Sequence, residues 1–410
     1  MRLLYNLGIW LYYLLLRIAA IRNKKAQKWI AGRKDIFIRL KEAIKPGELI
    51  LWFHASSLGE FEQGRPVIEA IRALSPEYKI LLTFFSPSGY ELRKDYPFAD
   101  YVFYLPLDTP RNAARFIEIV QPKKAFFIKY EFWYNFLTQL KKAEVPTYIF
   151  SALFRPSQVF FKPWGKWYLG AIRTFEQIFV QNQESYNLLA KYNFNNVSLS
   201  GDTRLDRVGQ IADASPRLEK LESFCTGQKI IIAGSTWPED EAFLIPYINQ
   251  QLDGIKFVIA PHEVTPQSLE RISTALGKSF VYLSTATNEA LALADVLIVD
   301  GYGSLNSIYR YGHIAYVGGG FTSGIHSILE PAVFGLPVIF GPDYHKFQEA
   351  HDMLSIGAAN CINNAEEFVV QMDRYLGDPE KLSTASSMAS GYVNKNRGAS
   401  KAIVKFLFPS

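Results

Sequence analysis

The sequence predicts two doubly wound α/β domains in tandem behind an apolar N-terminal helix, and three observations carry that prediction. The chain has 410 residues, more than one ordinary core accommodates, so two domains are expected. Short apolar runs alternate with helical patterns along most of its length, the signature of parallel sheets built from βα units. Residues 3–21, "LLYNLGIWLYYLLLRIAAI", are almost continuously apolar. A hydrophobic content of 49% with 20% charged residues describes a folded chain without a disordered majority.

The N-terminal stretch approaches the roughly 20 residues that span a bilayer. Only Asn6 and Arg17 interrupt it, and Trp10, Tyr12 and Tyr13 are residue types of membrane interfaces. No small-residue cleavage site follows, which sets a signal peptide aside. Between Arg17 and Lys45 ten Lys or Arg stand against Asp35 and Glu42, although the whole chain carries only +5, 44 basic against 39 acidic residues. Nucleic acid and anionic lipid both attract such a block. Placed directly after an apolar helix, it predicts an anionic membrane surface and no nucleic acid, with the rest of the chain on the cytoplasmic side of a membrane. The competing reading is a core helix of a soluble protein. Cys225 and Cys361 make neither a metal-ligand spacing nor a disulfide framework, and both read as small core residues in a reducing compartment.

Seven strand-like runs follow, at 49–53, 79–85, 101–105, 124–128, 146–151, 178–181 and 197–200. A second series lies at 230–235, 257–261, 280–284, 296–300, 314–320 and 337–342. In such sheets ligands bind beyond the carboxyl ends of the strands, and residues of chemical interest stand there: His54 to Glu60, Glu131, Gly201 to Asp206, and Ser235-Thr236-Trp237. Ser57-Leu58-Gly59-Glu60 also fits the S-x-x-E capping box, so Glu60 reads equally as a helix cap. "FRPSQVFFKPWGKWYLGAIR" (154–173) mixes cations with aromatic residues. It suits either a membrane-interface surface or an aromatic core with snorkelling lysines.

The most specific stretch is "YVGGGFTSGIHSILEPAVFGLPVIFGP" (316–342). Glycines 318, 319, 320 and 324 are expected to let backbone approach a ligand, and a helix starting near Ser327 to point its N–H groups at a phosphate. Glu330 would accept hydrogen bonds from a ribose diol. The stretch is neither a Walker loop nor a GxGxxG fingerprint. No D-x-D pair and no H-x-x-x-H spacing occur, so a metal-independent site without cofactor is expected.

The ordered motifs "WFHASSLGE", "YEFWYNFL", "LSGDTRLD", "AGSTWPEDE", "APH", "GYGSLNSIY" and the stretch just described resemble the 3-deoxy-D-manno-octulosonic acid (Kdo) transferases of lipid A assembly. The resemblance implies an α/β GT-B architecture: two Rossmann-like domains facing a central cleft, with an N-terminal membrane-anchor helix. Its expected parts are an anchor and basic segment (1–45), an acceptor domain (46–215), a CMP-Kdo domain (216–385) and a C-terminal helix (386–410) packing back on the first domain. The implied reaction moves Kdo from CMP-Kdo to a lipid A precursor, with inversion.

By resemblance Glu60 is the general base, which tips the reading of its motif toward chemistry. Glu131 and Arg204 match positions that stabilise the transition state, Arg204 standing where the family usually has lysine. Ser56, Ser57 and Gly59 match substrate contacts, as do Ser235 and Thr236. Pro261 and His262, then Gly303, Ser304 and Leu305, then Gly324, His326, Ser327, Ile328, Leu329 and Glu330 match segments that hold the CMP part. The chain departs from the family at "APH", where "PRH" is common, at Ser304 and at "GIHS". Other nucleotide-sugar enzymes of this architecture, a lipid A disaccharide synthase or a UDP-hexosamine epimerase, form the alternative.

Overall fold

Apolar runs bounded by turn residues form strands buried on both faces, as parallel sheets require. The computed structural model describes residues 1–251 and 254–409. Its first sheet takes β1 (Ile50–Ala55), β2 (Lys79–Phe84), β3 (Tyr101–Tyr104), β4 (Lys124–Ile128), β5 (Thr147–Ala152), β6 (Gln177–Val180) and β7 (Val197–Leu199) in the order β3-β2-β1-β4-β5-β6-β7. The second takes β8 (Lys229–Thr236), β9 (Ile255–Pro261), β10 (Phe280–Tyr282), β11 (Val296–Ile298), β12 (Ile314–Val317), β13 (Val338–Phe340) and β14 (Ala359–Cys361) in the order β10-β11-β9-β8-β12-β13-β14. Every pairing is parallel. β14 was not among the expected strands: three residues between Gly357 and Asn363 are too short to show a pattern.

The chain divides into two compact units, Met1–Arg207 with the segment from Arg397 onward, and Val208–Asn396. The division falls inside helix Thr203–Ala214 rather than at 215/216. The second unit extends past residue 385, because helix Pro379–Asn396 packs on Leu329–Ala332 and Ala365–Gly377. Helix Ala399–Leu407 lies on Leu58–Leu74 in the first unit, with Asp206 accepting the N–H of Ser400 at 2.7 Å.

In each sheet the strand order reverses at one place, between β1 and β4 in the first unit and between β8 and β12 in the second. Those switch points open crevices at the carboxyl ends of the strands. Around the first, Trp52, Phe116, Phe127 and Phe136 form a tilted and edge-on aromatic cluster with centroids 4.8 to 5.7 Å apart. Tilted and edge-on pairs of this kind stabilise beyond their area burial. Trp52 satisfies its buried indole N–H on the Thr83 hydroxyl at 2.8 Å.

The N-terminal expectation needs correction. Among the described residues no helix is long and apolar enough to cross a membrane. Helix Arg2–Ala19 instead lies along the first unit. Tyr5 donates to Asp108 at 2.6 Å, Asn135 donates to Asn6 at 2.9 Å, and Tyr12 packs on Trp29 and Phe85. Its other side exposes Leu3, Leu7, Leu11, Leu14 and Ile18, a stripe at helical spacing. Part of the basic block is structural as well. Arg33 stacks 3.6 Å from the Trp29 ring centroid and donates to the Leu105 carbonyl at 2.8 Å and the Phe85 carbonyl at 2.7 Å. Arg17, Arg22, Lys24, Lys25, Lys28, Lys34, Lys41 and Lys45 remain exposed.

Candidate active site

At the first switch point the sequence builds an acid pair. Glu60 is the third residue of helix Leu58–Leu74, capped by Ser57: the Ser57 N–H donates to Glu60 Oε2 at 3.0 Å and the Ser57 hydroxyl does so at 3.3 Å. The capping box is therefore formed. The same carboxyl is pushed up to about 7, first by burial and then by the charge of Glu131, with Lys129 and the Ser57 N–H pulling the other way. Capping and proton exchange near neutrality thus coexist in one residue. Ser56 hydrogen-bonds Glu131 through its side chain, while Gly59 faces open space.

Glu131 follows β4, next to β1, and is 5% exposed. Burial pushes its carboxyl up, but His54, Ser56 and Trp133 outweigh burial and hold it below the usual carboxylate range. His54 Nε2 lies 2.9 Å from Glu131 Oε2, and the Trp133 indole N–H donates to the same oxygen. His54 is fully buried and its Nδ1 sits 2.9 Å from the Thr83 hydroxyl and 3.1 Å from the Thr83 carbonyl, so the ring is fixed at both ends. Adjacent carboxyls driven apart in this way divide their roles: one stays ionised and the other exchanges a proton near pH 7.

Arg204, at the start of helix Thr203–Ala214, is clamped by Asp202: Nε donates to Oδ2 at 2.8 Å and Nη2 lies 2.6 Å from the same oxygen. Tyr130 feels the charges of Arg204 and Glu60 alike, which places the guanidinium in the neighbourhood of the acid pair.

At the second switch point a buried acid and a stack of rings take the place of the acid pair. Asp240, fully buried in the first turn of helix Pro238–Gln250, accepts the N–H of Trp237 at 2.9 Å and of Gly319 at 3.0 Å, as well as the Tyr316 hydroxyl. It ties the loop after β8 to the loop after β12. Trp237, His262 and His326 stack: Trp237 and His262 centroids are 4.6 Å apart, His262 and His326 4.3 Å. Trp237 Nε1 donates to His326 Nε2 at 3.1 Å. Burial first and then His262 push His326 down to about 4, so its ring is neutral at pH 7. Pro261 ends β9, and the His262 N–H donates to the Thr236 carbonyl at 2.9 Å.

The other residues singled out in this unit are placed as follows. Ser235 is half-buried in a left-handed conformation at φ 54°, and Thr236 is buried with its hydroxyl donating to Glu241 at 3.1 Å. Gly303 has φ 93°, and Ser304 precedes the one-turn helix Leu305–Ile308, whose first residue is Leu305. Gly324 has φ 112°. Ser327 hydrogen-bonds Glu330, whose carboxyl burial pushes up to about 7. Ile328 and Leu329 bury their side chains, leaving backbone only to face a ligand.

Two expectations about this stretch are overturned. The helix expected near Ser327 begins at Leu329, is one turn long and contains Pro331, which has no N–H to offer. Gly318 and Gly320 serve protein packing: a Cβ on Gly318 would stand 2.3 Å from the Ser235 carbonyl oxygen, and one on Gly320 2.6 Å from the Gly341 backbone.

His54 and Trp237 stood among the strand-end residues of interest without an assigned role, and Asp240 was not singled out by sequence reasoning. Each had a signal, a polar residue at or just past the end of a central strand, but read singly they pass for core or cap residues.

A cavity of about 630 Å³ lies beside Glu131, within the first unit, between helix Arg2–Ala19 and residues 159–168. Of the aromatic segment 154–173, Phe160, Phe161 and Tyr168 are core, and Trp164 is exposed.

The sequence profile of the family described as 3-deoxy-D-manno-octulosonic-acid transferase (kdotransferase) matches residues 24–207. The 3-deoxy-D-manno-octulosonic acid transferase of Aquifex aeolicus is 28% identical over 350 residues, covering 83% of this chain and 90% of that protein. The one of Haemophilus influenzae is 28% identical over 379 residues, covering 88% and 86%. Among solved structures, UDP-GlcNAc 2-epimerase from Neisseria meningitidis bound to UDP-GlcNAc covers 88% of this chain and 99% of its own, at 15% identity and a TM-score of 0.62. MurG of Acinetobacter baumannii covers 88% and 98%, at 12% identity and a TM-score of 0.57. The structural likenesses show the α/β fold alone. The sequence matches, running through both units, make the chain similar along most of its length to the 3-deoxy-D-manno-octulosonic acid transferases.

Proposed function

We propose that the protein transfers Kdo from CMP-Kdo to a lipid A precursor in lipopolysaccharide biosynthesis, by an inverting, metal-independent displacement. Beyond the similarity to Kdo transferases, one observation carries this reading: a carboxyl poised at about 7 beside an ionised partner, at the switch point between β1 and β4. An acceptor hydroxyl attacks well only as its proton leaves, and a base with a pKa near the working pH suits that task. Glu60 takes the proton as the acceptor oxygen bonds to the anomeric carbon of Kdo. The bond from that carbon to the phosphate oxygen breaks, and CMP leaves with the electron pair. Glu131, held ionised by His54, supports positive charge developing on the sugar, while Arg204 stabilises the departing phosphate. In the second unit the Trp237–His262–His326 stack and the backbone at 324–330 hold the donor. A GT-B cleft would bring donor and acceptor together.

The exposed stripe Leu3-Leu7-Leu11-Leu14-Ile18 and the adjoining exposed cations support attachment to the cytoplasmic face of the inner membrane, with the helix lying in the interface. Purified protein incubated with CMP-Kdo and a tetraacylated lipid A precursor is expected to yield product heavier by whole Kdo residues, with EDTA present. Absence of product, or tighter calorimetric binding of UDP than of CMP, would favour a UDP-sugar enzyme. Flotation with anionic vesicles tests the attachment: Leu7→Asp/Leu11→Asp is expected to abolish it.

A further inference from the structure

The cavity beside Glu131 has a lining that contradicts its address. A site next to ionisable groups that handle sugar hydroxyls would ordinarily be polar. Here the walls are Leu4, Ile9, Val159, Phe160, Trp164 and Trp167, and the only charged side chain among the lining residues is Glu131. Glu131 Oε2 is already occupied by His54 and Trp133. Of the other polar side chains in the lining, Tyr5, Trp133 and Tyr168 already donate to Asp108, Glu131 and the Phe132 carbonyl, so a sugar, phosphate or nucleotide seated there would leave most of its polar groups without partners. A methylene chain has none to satisfy, and the volume of about 630 Å³ lies in the range of ordinary ligand pockets.

The mouth adds a second observation. Leu4, Val159 and Trp164 are 63%, 42% and 62% exposed, large apolar residues left open at the rim. Leu4 sits on the helix whose outward stripe, Leu3 to Ile18, is exposed along its length. The cavity thus joins an apolar outer surface to Glu131 without leaving the first unit, and Lys162 and Lys166 lie on the turn that forms its wall. We infer that this cavity seats one fatty acyl chain of the acceptor, drawn in from the bilayer side, so that the headgroup attached to that chain is delivered to Glu60 and Glu131. The inference rests on the lipid acceptor proposed above and gives that acceptor a specific handle. Each methylene buried is worth about fourfold in binding, so four are worth about two orders of magnitude.

The test has one arm that needs no turnover. Full-length protein in mixed micelles is irradiated with a C14 fatty acid bearing a terminal diazirine, and the labelled peptides are mapped by mass. Label is expected on residues 1–9 and 159–168, displaced by a tetraacylated lipid A precursor and reduced at least tenfold in Val159→Phe and in Leu4→Glu. The first narrows the cavity and the second places a charge at its rim; both positions are partly exposed, and melting temperatures check that both variants are folded. In the second arm, kcat/KM is measured for the tetraacylated and the fully deacylated acceptor. Their ratio is expected to fall at least tenfold in both variants. Label confined to the stripe between Leu7 and Ile18, or an unchanged ratio in folded variants, overturns the inference. Cavity labelling without any Kdo transfer would support the acyl site while sinking the transferase reading, so the two failures are distinguishable.

Discussion

The two switch points are built alike and charged differently. Each joins the carboxyl ends of two central parallel strands, and each uses a buried side chain to fix the loops that meet there. In the first unit that side chain is His54, and it holds a carboxylate ionised beside another that titrates near 7. In the second it is Asp240, spent entirely on backbone N–H groups and a tyrosine hydroxyl, while the histidine nearby stays neutral down to about 4. The difference teaches where protons move. In the first crevice the raised carboxyl sits beside an ionised one, whereas in the second the raised carboxyl, Glu330, is shifted by burial with Ser327 as its hydrogen-bond partner.

The sharpest way to break this contrast is Glu60→Gln. As a base, Glu60 cannot be replaced by glutamine, and turnover is expected to fall by about 10²–10⁴-fold. The cap survives, because glutamine also completes the box. The sign of the linkage makes the stability test informative. A carboxyl raised from its ordinary value to about 7 adds stability that is present below the unfolded pKa and lost as pH rises through about 7. At pH 8 the variant is therefore expected to melt no lower than the wild type in calorimetry. Wild-type turnover in the variant would return Glu60 to capping alone.

Next in size is His54→Asn. Losing a hydrogen bond to a buried carboxylate costs about 1.5–3 kcal/mol, and turnover is expected to drop about 10- to 100-fold, with CMP affinity unmoved in calorimetry. A Glu131 without that donor takes up a proton more easily, so the acid limb of kcat/KM should also shift. Glu131→Gln sharpens the same point. The wild-type limb is expected to rise through about pH 7, and removing the Glu131 charge, the second cause of the Glu60 shift, should move it below 7. A limb that stays in place would mean that another group titrates.

The smallest effect is expected in the second unit. Trp237→Phe keeps the ring stack and removes one N–H donor to His326, so CMP should bind about 2- to 12-fold more weakly. The acid limb of the rate profile should not move at all. A moved limb would mean that the groups setting it are not confined to the first crevice.

How much of this was legible beforehand differs between the same two regions. The strands were, because runs such as "LILWF" and "IIIAGS" are apolar on both faces and leave little else to form; β14 was not, since "ANC" carries no such run. Glu60 declared itself through "SSLGE", but its dual role needed the neighbour across the β1–β4 gap, which sequence order places 71 residues away. In the second unit the glycines misled. A sequence shows that a Cβ is missing at 318 and 320, not whether ligand or Gly341 backbone fills the space. His54 read only as a strand-end residue of interest, and Asp240 drew no reading of its own. What each side chain grips is set by chain folded in from elsewhere.

One buried acid in the first unit has reach beyond its surroundings. Asp108 receives the N–H groups of Asn135 at 3.1 Å and Phe136 at 3.0 Å, just past Glu131 and Trp133, and also takes the hydroxyl of Tyr5 at 2.6 Å. A single carboxyl therefore clasps both the helix that carries the outward leucine stripe and the turn that carries the ionised acid. Cutting that helix away would not release a detachable tag. It would strip one wall from the acyl cavity and leave Asp108 with a donor missing, so a chain trimmed for solubility is expected to have a loosened acid loop. The part of the molecule that faces lipid and the part that handles protons answer to the same latch.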